Sequence, residues 1–398
     1  MTALAARVYN IKESETLKIN SKVIELKKAG RDICSFTVGE PDFRTPDHII
    51  DACKKALDDG FTKYTATAGI PELRTAVSEY TRRKKHVECG MKNVLISSGA
   101  KPAIFNVLFT LIQEGDEVLI IKPYWVSYPP IVSLVKGKPV YVESRTENGF
   151  EIDFDDLLSK INKNTRAIII NSPSNPTGEI ITERELHRIA EIALRYNLYI
   201  VSDETYCELI YDGHEHTSIA SLSEDVKKRT IIIDSFSKTF SMTGWRIGYA
   251  VAQEEIISAG NKIQGQILSN PTSFAQKAAL TAITGSFDFL EGWKAEYVER
   301  RDYIYDSLSL DRNIILKKPK AAFYVFPDVS IYYDRLGLEG EDNRSEQFAS
   351  LLLEESGVAC IPGAAFGMDD HIRFSYATDM NTIKKGMERV RKFLNDIG

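Results

Sequence analysis

Three stretches decide how this chain folds: "RAIIINSP" at 166–173, "LYIVSDE" at 198–204 and "RTIIIDSF" at 229–236. Each is a short run rich in Ile and Val that ends in polar side chains. A strand wetted on one face would alternate apolar with polar residues. Runs apolar at consecutive positions instead predict strands covered on both faces, the pattern of a mostly parallel sheet between two layers of helices. Four further runs extend it: "NVLISS" at 93–98, "EVLIIKP" at 117–123, "PVYVES" at 139–144 and "RIGYAVA" at 246–252. Longer amphipathic segments separate the runs, so the expected core is an α/β sheet of seven strands.

The intervening helices carry start and stop signals. Thr182 and Glu185 form a capping box ahead of "LHRIAEIALRY", while Thr45 and Pro46 open "DHIIDACKKALDD" and Gly60 closes it. Beyond about residue 285 the pattern changes to charged helices such as "FLEGWKAEYVERRDYIYDSL" and scattered strands ("AAFYVF", "VACIP", "HIRFSYA"), which predicts a smaller α+β domain. "TLKINSKVIELKKAG", at 16–30, lies outside the sheet region and is expected to pack with that smaller domain. The predicted division is 1–45 as an N-terminal arm and part of the small domain, 46–284 as the large domain and 285–398 as the small one, meeting at a cleft.

Composition narrows the function. A chain of 398 residues suits two domains, and 43% hydrophobic with 27% charged residues is ordinary for a globular protein. No run approaches the ~20 apolar residues of a membrane span, so no membrane partner is expected. Arg7, Lys12 and Glu13 interrupt the start, which argues against a secretory leader and for the cytoplasm. Five dispersed cysteines with no C-x-x-C pair predict free thiols and no metal site. A net charge of -6 gives no footprint for nucleic acid; "RRKK" at 82–85 reads as a solvated helix end, and "HEH" at 214–216 as a solvated loop. Neither G-x-G-x-x-G nor G-x-x-x-x-G-K-[ST], the nucleotide-binding signatures, is present.

Ligands of open parallel sheets bind beyond the carboxyl ends of the strands. There the sequence sets Gly99, Ala100 and Lys101 at a strand-to-helix turn, whose free N–H groups suit a phosphate. Trp125 could stack on a flat ring, and Asn175 precedes a proline and a Thr-Gly turn. Asp203, with Tyr206 three residues on, ends a strand where a carboxylate is costly to bury without a positive or proton-bearing partner. Ser235, Ser237 and Lys238 follow the last such strand, with Arg246 beyond; a lysine beside an arginine and desolvating strands should have its pKa lowered, which favours a nucleophilic amine. Taken singly, each has a plainer explanation in turns, packing or solvated surface. Together they suit a phosphorylated aromatic aldehyde whose ring nitrogen needs a carboxylate, pyridoxal 5′-phosphate (PLP).

These segments, in this order, resemble the class I aminotransferases of PLP fold type I, and most closely their aspartate aminotransferase subgroup in bacteria and archaea. The matching stretches are "GEPDF", "KYTATAGIPELR", "SSGAKPAIFN", "PYWVSYP", "NSPSNPTG", "SDETY", "SFSKTFSMTGWRIGY" and "RFSYA". The resemblance implies that Lys238 tethers the cofactor and shuttles the Cα proton, that Asp203 keeps the pyridine nitrogen protonated, and that Asn175 and Tyr206 bond its phenolic oxygen. It places Trp125 on the ring, and Gly99, Ala100, Ser235, Ser237 and Arg246 on the phosphate. Tyr64 would reach the phosphate of a neighbouring subunit, implying a homodimer with shared sites. Arg373 would fork the substrate α-carboxylate, Gly39 would let backbone pass close to the substrate, and Lys101 and Thr16 would meet the distal carboxylate of an acidic substrate.

The expected reaction is amino transfer from an amino acid, aspartate first, to 2-oxoglutarate. One departure stands out, Ala321 in "AAFY", where relatives usually carry glycine, and it could narrow the pocket. Other amino donors, a PLP-dependent C–S lyase, decarboxylase or acyl-transferring synthase, and a non-catalytic PLP sensor are the competing readings.

Overall fold

The computed structural model describes residues 15–146, 149–340 and 343–397. All seven expected strands form one sheet. Numbered within it, they are β1 (Val94–Ser97), β2 (Glu117–Ile121), β3 (Lys138–Val142), β4 (Thr165–Asn171), β5 (Tyr199–Asp203), β6 (Thr230–Ser235) and β7 (Gly248–Val251), in the spatial order β1-β7-β6-β5-β4-β2-β3. Every pairing is parallel except those of β7, which runs antiparallel to both neighbours.

The unbroken apolar runs have the cause inferred for them. On β4, Ala167 and Ile169 face one layer with Val107, Val201 and Ile233, while Ile168 and Ile170 face the other with Leu186, Ile189 and Ile200. Successive side chains point to opposite faces, so a sheet covered twice needs apolar residues at every position. Each fully buried Ile contributes about 2 kcal/mol.

Parallel pairing also levels the strand ends. Asn171 lies opposite Asp203, and Asp203 opposite Ile233, which brings the polar ends of β4, β5 and β6 to one edge.

The helix Glu183–Tyr196 begins with the expected capping box: Thr182 accepts from the Glu185 N–H, and the Glu185 carboxylate accepts from the Thr182 N–H at 2.9 Å. At Asp47–Asp58 the start differs in detail. Pro46 occupies the N-cap, and the Thr45 hydroxyl bonds the Ser241 carbonyl at 2.6 Å, tying the helix entry to the loop beyond Lys238.

Phe36, Tyr206, Tyr297, Phe323, Tyr324, Phe374 and Met387 belong to a separate hydrophobic cluster built mainly from the C-terminal third of the chain. The short strands Tyr324–Val325, Ile372–Ser375 and Ile361–Pro362 form a three-stranded antiparallel sheet there. The helix Glu15–Lys28 sets Val23 against Leu353 and Ala359, so it packs on the C-terminal elements as expected. No helix among the described residues is long and apolar enough to cross a membrane.

Two segments differ from expectation. In "RRKK", which ends the helix Pro71–Lys85, Arg82, Arg83 and Lys84 are exposed but the Lys85 side chain is only 1% exposed. In "HEH", His214 and Glu215 are exposed, yet His216 is 6% exposed and lies 3.1 Å from Glu204. Local composition predicted solvation; long-range partners overrode it.

Candidate active site

A cavity of about 300 Å³ opens where β4, β5 and β6 end, and its wall includes Gly39, Ala100, Lys101, Trp125, Asn175, Asp203, Tyr206, Ser235, Ser237, Lys238, Arg246 and Arg373. Residues far apart in sequence therefore share one space. Gly99 is not part of the wall itself; it directly precedes Ala100, which is. Tyr64 does not line the cavity of its own chain; its side chain is 89% exposed. Thr16 lies in the helix Glu15–Lys28, and its side chain is outside the described residues. Ala321 is fully buried in a bridge to Ile210 and does not line the cavity, so its methyl does not narrow it.

Lys238 sits on the short helix Phe236–Thr239, which Ser235 caps by accepting from the Ser237 N–H. Its ammonium donates to the Gly39 carbonyl at 2.6 Å. Burial lowers its pKa from 10.5 to about 8; Glu40 opposes the shift, and Arg373 and Arg246 add to it. The lowering inferred from an arginine neighbour and desolvation is present, with desolvation the larger cause.

Asp203, at the end of β5, is 4% exposed. It accepts from the Tyr128 hydroxyl at 2.7 Å and the Thr205 hydroxyl at 2.7 Å. Burial raises its pKa, against the lowering effect of those hydrogen bonds. It has no salt-bridge partner among the described residues, which leaves it ready for a cationic ring N–H.

Arg373, on Ile372–Ser375, is 3% exposed. Its two terminal nitrogens donate to Asn175 Oδ1 at 3.0 Å and the Thr37 carbonyl at 2.9 Å, and the guanidinium lies 4.5 Å from the Tyr324 ring centre and 5.0 Å from that of Phe366. Its Nε is buried without a hydrogen-bond partner. A cation held this rigidly and left short of anions suits a carboxylate ligand.

At the phosphate end, Gly99 caps the helix Ala100–Leu111 with φ 103°, and a Cβ there would lie 2.5 Å from Arg246 Nη2. Arg246 itself has φ 56°, in the left-handed region, and donates to the Thr243 and Ser98 carbonyls at 2.9 and 3.3 Å. A helix N-terminus and a guanidinium thus face the same spot. Lys101, on the same turn, lies 5.1 Å from the Trp125 ring centre; burial, then Arg246, lowers its pKa. Gly99→Ala is expected to weaken phosphate-ester binding about tenfold, because it displaces Arg246 and strains a glycine-only backbone by about 1–3 kcal/mol; titration of the variant with PLP measures it.

Five wall residues were not singled out from sequence, Val126, Ser127, Asn171, Thr205 and Tyr324, nor was Tyr128, which lies outside the wall but bonds Asp203. Tyr128 follows Trp125 by three residues, a spacing that could have revealed a shared turn. Tyr324, whose hydroxyl is 2.7 Å from that of Tyr206, gave no local signal. A neighbouring cavity of about 400 Å³ shares Asn171, but its Lys320 and Glu179 are already paired at 2.6 Å.

The sheet, its loaded edge and the half-buried lysine define a class. The family model for aminotransferase class I and II matches residues 31–390, and the chain belongs to that family. It is 44% identical to an aspartate aminotransferase of Bacillus sp. (strain YM-2), over 98% of this chain and 99% of that one. It is 42% identical to a probable aspartate/prephenate aminotransferase of Aquifex aeolicus, over 99% of each. The structure of aspartate aminotransferase from Thermus thermophilus with maleate matches with a TM-score of 0.92 at 37% identity, covering 98% of this chain and 100% of that one.

Proposed function

We propose that this chain is a PLP-dependent aminotransferase that moves the amino group of aspartate to 2-oxoglutarate. The observation that carries the reading is the meeting, in one cavity, of a half-buried lysine with a pKa of about 8, a buried carboxylate without a salt bridge, and a buried arginine short of an anion. The residues fit the cofactor: Gly99, Ala100, Ser235, Ser237 and Arg246 surround the space for a phosphate, Trp125 offers a ring face, and Asp203 awaits a ring N–H. When bound, PLP supplies the electron sink for the charge left at the substrate Cα.

The chain's own groups do the rest. Lys238 would tether the cofactor and then carry a proton between the substrate Cα and the cofactor's aldehyde carbon, C4′. Asp203 holds the ring nitrogen protonated. Asn175 and Tyr206 act at the phenolic oxygen, and Gly39 leaves room for the substrate: a Cβ there would lie 2.7 Å from the Tyr324 hydroxyl. Arg373 grips the α-carboxylate.

Lys101, with no ion pair among the described residues, supplies a further positive charge for a second carboxylate, with Thr16 as the proposed hydroxyl partner. Relatives named for aspartate, and the Thermus thermophilus enzyme with maleate, support a dicarboxylate substrate. Exposed Tyr64 supports a homodimer in which it reaches the partner's phosphate site, and the absence of an apolar spanning helix among the described residues fits the proposed cytoplasmic location. The division at residues 45 and 284 belongs to the same proposal, with the cavity between the large sheet and the C-terminal cluster.

The test is absorption of the PLP-reconstituted protein after addition of aspartate, and separately of alanine and phenylalanine. Aspartate is expected to convert the aldehyde form of the cofactor to its amine form, and 2-oxoglutarate to reverse it. Conversion by alanine or phenylalanine alone would sink the role of Lys101; no amine form with any of the three amino acids would sink transamination.

A further inference from the structure

Behind the cavity lies a charge cluster that the proposed chemistry does not use. Lys85, the last residue of the helix Pro71–Lys85, places its ammonium 2.8 Å from Glu204 Oε2 and 2.8 Å from Asp234 Oδ2, with all three side chains no more than 4% exposed. Glu204 directly follows Asp203, and Asp234 directly precedes Ser235. Neighbours along a strand point to opposite sides, so each acid faces away from the cavity while its neighbour lines it.

We propose that Lys85 is a positioning residue: its ammonium clamps the ends of β5 and β6 together from behind and so fixes the spacing between Asp203, at the ring end of the cofactor seat, and Ser235, at the phosphate end. This rests on the PLP reading above.

The bonding supports a clamp. Asp234 spans the two sides, accepting from the Ser235 N–H through Oδ1 at 2.6 Å while Oδ2 takes Lys85 and, at 3.0 Å, the Tyr249 hydroxyl. Glu204 accepts from Ser202 at 3.0 Å and Ser218 at 2.6 Å, has His216 at 3.1 Å, and its N–H donates to the Ile233 carbonyl at 2.9 Å. Cys207 lies 3.5 Å from Lys85, and Tyr80 ties the outer edge to Glu208 at 2.7 Å. Burial opposes the charge on Lys85, but Asp234 and Glu204 outweigh it and keep its pKa well above lysine's usual range. Without the lysine, two buried carboxylates would face each other across the strand ends, and the cluster would have to protonate, admit water or spread.

The test compares wild type with Lys85→Met, each titrated with PLP and then scanned in pH for the absorption change of the bound cofactor. The variant is expected to bind PLP roughly tenfold more weakly, as when outer partners of a bound group are removed. Its absorption midpoint should move up in pH, because losing a cation behind the seat favours the protonated form. A variant that melts at a lower temperature yet matches wild type in affinity and midpoint would show that Lys85 only supports the fold, and would overturn the proposal. If Lys85→Met does not fold, Lys85→Gln, which removes the charge but can still hydrogen-bond one of the two carboxylates, is expected to show the same two changes at smaller size; unchanged values there would overturn it equally. Wild type that fails to bind PLP would instead overturn the PLP reading, and this inference with it.

Discussion

Lys238→Ala is expected to abolish covalent capture of PLP and to lower transamination on the order of 10⁴-fold or more, the scale of a lost general acid and base. Hydride reduction followed by mass spectrometry checks the first part: wild type should carry the cofactor on the peptide containing Lys238, and the variant should carry none. A cofactor still attached to another lysine of the variant would refute the assignment. The pH dependence of capture carries a further sign. With a pKa of about 8, against 10.5 for an ordinary lysine, the neutral amine at pH 7 is roughly 300-fold more abundant than on an exposed side chain. The capture rate should rise about tenfold per pH unit below 8 and level off above it; a rate still climbing toward pH 10 would mean that burial does not prepare this amine.

Asp203→Ala is expected to reduce turnover by about 10²–10³-fold, the cost of losing a preorganised charge opposite one that develops in the reaction. Lys238 should still capture the cofactor, so the loss should fall on turnover far more than on attachment. The carboxylate is held by Tyr128 and Thr205 in a site whose burial disfavours its charge. In the proposed complex a protonated ring nitrogen would relieve that penalty, and the carboxylate would keep the proton in place. Rapid-mixing measurement of the half-reaction with aspartate separates the steps, and a variant within tenfold of wild type would remove Asp203 from the mechanism.

Much of this was legible because its signals are local. The seven strands declare themselves by unbroken Ile and Val runs, and the parallel arrangement follows from the helical segments between them. Once the strands are known, Asn175, Asp203 and Lys238 are legible as strand-end residues without knowing what they touch. Lys85 and His216 were misread for the opposite reason. The partner of both is Glu204, which is 119 positions from Lys85, beyond any window of neighbouring residues, and across a turn from His216. Tyr324 was passed over likewise, its partner Tyr206 being 118 positions away.

The sequence by itself determined the order of strands and helices, the kinds of reactive group carried to the sheet edge, and the family to which the chain belongs, since all three are written in patterns along the chain. Only the tertiary structure decided what each charged group does. Buried Lys85 meets two carboxylates and is held charged, while half-buried Lys238 meets a carbonyl and arginines and is driven toward neutrality. Desolvation and pairing set that difference, and both depend on distances in space that residue order does not contain.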